Sequence, residues 1–278
     1  MIHVVTDSTA DLTQEQIAAL GVTVVPLTIR FGDEQYLDGV DLDSDQFYAR
    51  LPQARVHPTT SQPTPQQFAD VYRSLLSGPD DSVVGIHISS KLSGTLQSAN
   101  IARQEVGEDR VHLVDSETVS AGLQFLVREA LDDIAGGADA AAAAARAERL
   151  RSKVTIYVLL DTLTYLHRGG RIGRAQALLG SVLGVKPVLT VVEGEVAPQS
   201  RVRNRRQGLD AIVELLQAKL PLRRLAAFHC GASELLPQLE ERLHAGLPGV
   251  EIQTGQVGPV VGAYTGPGGI GIASLGDG

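Results

Sequence analysis

The chain has one cysteine, one methionine and no tryptophan, and only 4% of its residues are aromatic. A lone Cys230 excludes an internal disulfide and any cysteine-based metal cluster. It closes the apolar run Leu225-Ala226-Ala227-Phe228-His229-Cys230, which reads as a buried and inert thiol. With few rings to use, leucine, valine, isoleucine and alanine must fill the interior. Cations are also in deficit: Lys and Arg number 24 against 32 Asp and Glu, a formal charge of −8. That balance argues against general nucleic-acid binding, which needs a basic face. No apolar run is long enough to span a membrane. The opening Met1-Ile2-His3-Val4-Val5 lacks a basic segment followed by a longer apolar stretch. No signal peptide or stable membrane insertion is therefore expected, and the expected compartment is the cytoplasm. Catalytic signatures are missing too. There is no Gly-x-Ser-x-Gly, no HExxH, no phosphate loop of the GxxxxGK[ST] type and no GxGxxG after the first strand. The seven histidines lack ligand spacing, so no metal is expected.

What is present is a chain of 278 residues, 43% hydrophobic, enough for one large domain or two modest ones. Apolar runs at 2–6, 22–31, 83–88 and 111–114 read as strands, the second as one strand or a pair. Helical stretches at 13–20, 45–51 and 96–103 fall between or after them, with Gly21 as a stop signal. Such alternation predicts a parallel, doubly wound sheet. Residues 119–150 are helix-rich, with near-continuous alanine from Ala138 to Ala147. The pattern then changes. Strands are expected at 154–159, 188–192, 225–230 and 250–257, and helices at 175–183, 207–219 and 232–245. A domain boundary is placed near residue 150, giving domains 1–150 and 151–278. The proline-rich stretch His57-Pro58-Thr59-Thr60-Ser61-Gln62-Pro63-Thr64-Pro65 reads as a rigid loop.

Four polar constellations could carry chemistry. Ser89-Ser90-Lys91-Leu92-Ser93-Gly94-Thr95 stands where a buried strand turns into a helix. Unpaired N–H groups and the helix dipole favour a carboxylate or phosphate there, although an ordinary Ser/Thr cap has the same composition. Thr59-Thr60-Ser61-Gln62-Pro63 presents hydroxyls at little entropic cost, while Thr64-Pro65-Gln66-Gln67 reads as a helix cap. Arg168-Gly169-Gly170-Arg171 combines close backbone approach with planar donors, or is a helix C-cap beside surface charge. Residues 258–271 form a glycine-rich stretch around Tyr264 and Thr265. They close over a head group or make a tight crossover between terminal strands. Arg201-Val202-Arg203-Asn204-Arg205-Arg206 is the one basic cluster, a solvated face or a docking patch. Asp7 and Asp11 follow the first strand and invite a phosphatase or phosphotransferase reading with Asp7 as nucleophile. A turn or capping role suits Asp11 equally. Hydroxyls, glycines and arginines without a nucleophile–base pair point to binding and not catalysis.

These residues together resemble the DegV family of bacterial proteins. The resemblance spans nearly the whole chain. It rests on Val4-Val5-Thr6-Asp7-Ser8-Thr9-Ala10-Asp11, Thr60-Ser61-Gln62-Pro63 and residues 89–95. It continues through Leu163-Thr164-Tyr165-Leu166-His167-Arg168-Gly169-Gly170-Arg171-Ile172, Val185-Lys186-Pro187-Val188-Leu189 and Gly266-Pro267-Gly268. It implies two α/β domains. The first is a three-layer α/β/α parallel sheet whose loop 55–65 faces the ligand cleft. The second is a two-layer α/β mixed sheet, and the ligand tunnel lies between them. It further implies a non-catalytic, fatty-acid-binding subunit of a fatty acid kinase. A separate ATP-using kinase subunit would phosphorylate the bound acid's carboxylate, and the acyl phosphate would enter phospholipid synthesis. Carried over by motif, Ser61 and Ser93 bind the carboxylate of a long-chain fatty acid, supported by Thr60, Gly94 and Thr95. Arg171 and Arg203 face the kinase. No cofactor is implied. One departure stands out: many relatives have histidine before Thr-Gly-Pro-Gly, and this chain has Tyr264, which is expected to meet the carboxylate with a neutral hydroxyl where histidine could carry charge.

Overall fold

The computed structural model describes residues 1–179 and 184–277. Its first half contains β1 (Ile2–Asp7), α1 (Gln14–Leu20), β2 (Thr23–Val25), β3 (Thr28–Phe31), β4 (Glu34–Leu37) and α2 (Ser44–Arg50). These are followed by β5 (Thr59–Ser61), α3 (Pro65–Leu75), β6 (Ser82–His87), α4 (Thr95–Val106), β7 (Val111–Asp115), α5 (Ala121–Ala135) and α6 (Ala140–Leu150). Local chemistry sets several of these boundaries. The Thr13 hydroxyl accepts the Gln16 N–H while the Gln16 side chain returns to the Thr13 N–H, and Gly21 ends α1 at φ 63°. Thr64 and Gln67 repeat the device on α3, with Pro65 at the first helical position.

Strands β2-β1-β6-β7 form an all-parallel sheet. Side-chain alternation supplies both faces. Val5 and Val83 point to α3 and α4 with Phe68 and Tyr72, whereas Val4 and Val84 point to α5 and α6. This is the expected three-layer arrangement. The expected rigid loop at 57–65 needs correction. Thr59–Ser61 is an edge strand, paired antiparallel to β3 in a small β4-β3-β5 sheet, with Thr60 opposite Ile29. Prolines on either side confine the backbone to extended conformations, which suit a short edge strand as well as a loop.

The second half contains β8 (Val154–Leu159), α7 (Thr164–Arg168), β9 (Lys186–Val192), β10 (Glu195–Val202), α8 (Arg205–Gln217), β11 (Leu222–Cys230), α9 (Leu236–Gly246), β12 (Gln253–Gln256), α10 (Pro259–Thr265) and β13 (Gly269–Gly276). Of the helix expected at 175–183, the described part is a 3-10 stretch, Gly173–Leu178, and residues 180–183 lie outside the described residues. The mixed sheet runs β10-β9-β8-β13-β11-β12, and only β11 and β12 pair in parallel. The glycine-rich end is no simple crossover: β13 runs through the middle of this sheet. A Cβ on Gly271 would fall 2.4 Å from the Tyr157 carbonyl oxygen and 2.9 Å from the Phe228 ring, so only glycine fits between its neighbours.

Helices α8 and α9 cover one face of the mixed sheet through Leu209, Ile212, Leu239 and Leu243. The other face meets the first half. Helix α5 lies between the two sheets, in contact with β1 and β6 on one side and β8, β11 and β13 on the other. That position explains why Leu123, Phe125, Leu126, Val127 and Ala130 are all fully buried around its circumference. A Cβ on Gly122 would press Val154 at 2.9 Å, so glycine lets α5 approach β8. No helix among the described residues is long and apolar enough to cross a membrane.

Candidate functional site

The Ser89–Thr95 turn does connect β6 to α4, and its hydroxyls divide their work. Ser89 Oγ donates to the Gly194 carbonyl at 2.8 Å, which ties the turn to the β9–β10 hairpin of the second sheet. Ser90 is anchored on Asp115, with its N–H 3.2 Å from Oδ1 and its hydroxyl 2.5 Å from Oδ2. Ser93 Oγ accepts the Thr95 N–H at 3.3 Å and lies 2.9 Å from Thr95 Oγ1. It is not the cap of α4, a position held by Gly94 without a side-chain cap bond; Ser93 precedes it and lines a cavity. When Thr95 Oγ1 donates to Ser93 Oγ, the Ser93 proton is free for a ligand.

That cavity has a volume of about 420 Å³ and lies between the two sheets. Its walls are apolar: Ile88 and Val119 from the first half, Ile156, Leu189 and Phe228 from the mixed sheet, and Val260 and Val261 from α10. Polar side chains gather among Thr60, Ser61, Gln62, Ser93, Arg171 and Tyr264. An apolar chamber with a few convergent donors is the form a site takes when it must bury a ligand's body and orient its head.

Thr60 Oγ1 and Tyr264 Oη share a hydrogen bond across 204 positions of sequence. Two hydroxyls carry two protons, and one bond consumes one, so the other can serve a ligand. Gly169 makes room for the Tyr264 ring, since a Cβ there would sit 2.3 Å from Tyr264 Cδ1. Arg171 follows Gly170, whose φ of 71° turns the chain back toward the cavity. Arg171 Nε donates to the Leu92 carbonyl at 3.1 Å and Nη1 to the Gly169 carbonyl at 2.9 Å. Its guanidinium carbon stands 5.2 Å from the Tyr264 ring centroid. Arg171 is thus a wall of the mouth while remaining exposed. Arg203 is elsewhere, exposed in the turn between β10 and α8, where its N–H donates to Gln207 Oε1.

Of the residues singled out in the sequence, Thr60, Ser61, Ser93, Arg171 and Tyr264 come together at this cavity, whereas Gly94, Thr95 and Arg203 do not line it. Thr95 is buried behind Ser93. Gly94 acts by its lack of a side chain, because a Cβ would stand 2.2 Å from Gln62 Oε1. Gln62 is a site residue that neither its spacing nor the resemblance points to. It lines the cavity, and its Nε2 donates to Ser98 Oγ at 3.0 Å. Its place beside Ser61 was the only signal.

Asp7 is differently placed. It is fully buried. Its Oδ1 accepts the Thr9 N–H at 3.1 Å and also the Thr9 hydroxyl, while Oδ2 accepts the Ile88 N–H at 2.9 Å and faces His87 Nδ1 at 3.2 Å. A carboxylate with both oxygens engaged and no exposed edge pins β1 to β6 and is badly placed to attack a substrate. Cys230 is buried as expected, and burial pushes its thiol up to about 11.

Fold and site together define a two-domain α/β protein with an apolar chamber between its sheets and hydroxyls at the chamber's mouth. The profile of DegV, described as "Uncharacterised protein, DegV family", matches residues 1–277, and the chain belongs to that family. A DegV domain-containing protein of Deinococcus radiodurans is 38% identical, over 98% of this chain and 97% of its own length. Among solved structures, a DegV family protein from Thermus thermophilus, described by its fatty acid binding, superposes with a TM-score of 0.92 at 38% identity, covering 99% of each chain. DegV of Bacillus subtilis, described as a fatty acid binding protein, superposes at 0.89 with 32% identity, again over 99% of each chain.

Proposed function

We propose that this protein encloses a long-chain fatty acid in the cavity between its sheets and holds the carboxylate at the mouth. The observation that carries the reading is the pairing of a 420 Å³ apolar chamber with hydroxyls from Thr60, Ser61, Ser93 and Tyr264. A carboxylate left unpaired in such a place would be costly. Each hydroxyl it meets contributes about 1.5–3 kcal/mol as a hydrogen bond to an ionised acceptor. The fatty acid binding described for the Thermus thermophilus and Bacillus subtilis relatives supports the same reading.

The protein is further proposed to present the acid and not to transform it. A separate ATP-using kinase subunit would transfer the γ-phosphoryl group to a carboxylate oxygen, releasing ADP and leaving an acyl phosphate for phospholipid synthesis. Arg203, exposed on the β10–α8 turn, and Arg171, at the mouth itself, would face that subunit. The boundary near residue 150, between the two sheets, would separate the domains that enclose the ligand.

The deciding experiment is mass spectrometry of an organic extract of the purified protein. A long-chain fatty acid near one per chain is expected. A protein that carries no lipid and takes none up from solution would overturn the reading. For the kinase step, Arg203→Ala should lower acyl phosphate formation with the kinase and ATP while the bound acid is retained. Equal loss of both would show a structural role.

A further inference from the structure

Strands β8 and β9 diverge beside the lipid chamber. They pair only at Tyr157 opposite Thr190, Val158 opposite Leu189 and Leu159 opposite Val188. Away from these pairs, β8 reaches back to Val154 against β13, while β9 runs on to Val192 against β10. The split holds a cavity of about 380 Å³, walled by residues 154–157 on one side and 190–193 on the other. Ile156, Thr190 and Val191 line both this cavity and the lipid chamber. Side chains, and not a hydrogen-bonded sheet, therefore divide the two.

The split is polar where the chamber is apolar. Tyr157 and Thr190, the last pair before the strands diverge, are 5% and 7% exposed. Neither hydroxyl has a hydrogen-bond partner among the described residues, and burial alone raises the Tyr157 hydroxyl above its ordinary value. The hydroxyls of Tyr48 and Tyr72 are unpartnered too, but those are sealed, whereas Tyr157 and Thr190 stand in a cavity wall. The charged residues of that wall balance, Arg151 and Lys219 against Glu117 and Glu193, so it suits a neutral polar group better than an ion.

The chamber leads to this place. Leu160 belongs to the cluster that packs against Tyr264 at the mouth. From there to Ile156 the chain covers about 13 Å at the usual rise of a strand. An ordinary lipid chain spans about 15 Å, half the hydrocarbon core of a bilayer. A fatty acid held by its carboxylate at the mouth brings its other end to the split. We propose that the split is a subsite for that end, and that it takes a long-chain acid carrying a hydroxyl at its tail. The tail hydroxyl would donate to one of Tyr157 and Thr190 and accept from the other, which replaces the water it leaves. In a chamber closed by apolar side chains alone, that hydroxyl would be buried unpaired, and the acid would bind about tenfold more weakly than its plain counterpart. The subsite rests on the fatty-acid reading of the chamber.

The test is displacement of a fluorescent fatty acid from the delipidated full chain, by hexadecanoic acid and by 16-hydroxyhexadecanoic acid. The two should bind within about threefold of each other, because the split repairs the hydrogen bonds that the hydroxyl loses on leaving water. Tyr157→Phe and Thr190→Val each remove one partner, and either should shift the ratio of the two affinities about fivefold against the hydroxy acid. The second variant serves if the first does not fold. A hydroxy acid about tenfold or more weaker than hexadecanoic acid on the parent chain, or a ratio that neither variant moves, would overturn the subsite and leave the fatty-acid reading standing. A chain that binds neither acid nor the fluorescent probe would overturn both.

Discussion

Asp38→Asn should stabilise this protein at alkaline pH, against the usual direction for a substitution at a buried position. In the fold, burial lifts the Asp38 carboxyl from 3.8 to about 7, with Ser8 and the Val260 N–H lowering it and Asp7 raising it further. The folded state therefore holds a proton between these limits that the unfolded chain releases. Stability from this group is complete below pH 4, falls as pH rises toward 7, and is lost above it. At about 1.4 kcal/mol per pH unit, the loss is at most about 4 kcal/mol. Asparagine keeps the shape and never ionises. Its amide leaves one N–H unpaired where Oδ2 meets no donor or acceptor, a penalty of about 1–3 kcal/mol. The charge effect wins at pH 8, and the variant should be about 1–3 kcal/mol more stable than the parent there. At pH 4 the same variant should be the less stable of the two. Other groups titrate in the same range. Salt-bridged Asp81 is held down to about 2 in both proteins and cancels in the difference, whereas Asp11, raised chiefly by burial and in part by the Asp38 charge, is relieved in the variant, which adds to its advantage at alkaline pH. Urea unfolding at pH 4 and 8 in acetate and phosphate measures it. A difference of the same sign and size at both pH values would refute the reasoning, because the carboxyl would then not change charge on folding.

Ser93→Ala removes a hydroxyl that lines the cavity and should weaken fatty-acid binding about tenfold to a hundredfold by fluorescent-acid displacement; unchanged affinity would move the head group elsewhere. Tyr264→Phe keeps the ring against Gly169 and Arg171 but breaks the Thr60 bond, so binding should weaken about tenfold while the melting temperature changes little, and a large drop in melting temperature would show a structural role. Glu129→Ala should cost about 1–3 kcal/mol of stability in urea: this 1%-exposed carboxylate of α5 takes Arg223 at 2.8 Å and Arg224 at 2.7 Å on β11, and Arg146 at 3.7 Å on α6. That range sits below the value for a fully buried pair because the arginines are partly exposed, and a loss under 0.5 kcal/mol would mean the two halves are held by α5 packing alone.

What the sequence made legible was whatever a few adjacent residues decide. Thr13, Gln16 and Gly21 mark α1 at both ends because capping is a matter of three or four neighbours. The anion-binding promise of residues 89–95 could be read because strand, turn and helix are contiguous there, whereas the choice of Ser93 within them came from the family resemblance. Tyr264 and Thr60 needed the family resemblance, because 204 residues separate them and neither carries local evidence of the other. Glycine was the main source of error, and for one reason. Treated as a breaker, it marks residues 258–271 as a loop. In the fold, Gly271 carries a central strand past the Tyr157 carbonyl, Gly169 admits the Tyr264 ring, and Gly94 admits the Gln62 side chain. Each is a place where two chain segments approach more closely than a Cβ allows, and two of the three border the mouth. The glycine density of this sequence is thus less a record of its turns than of its closest contacts. Those contacts bring the mouth residues of two domains together, so the glycines position the site as much as the hydroxyls equip it.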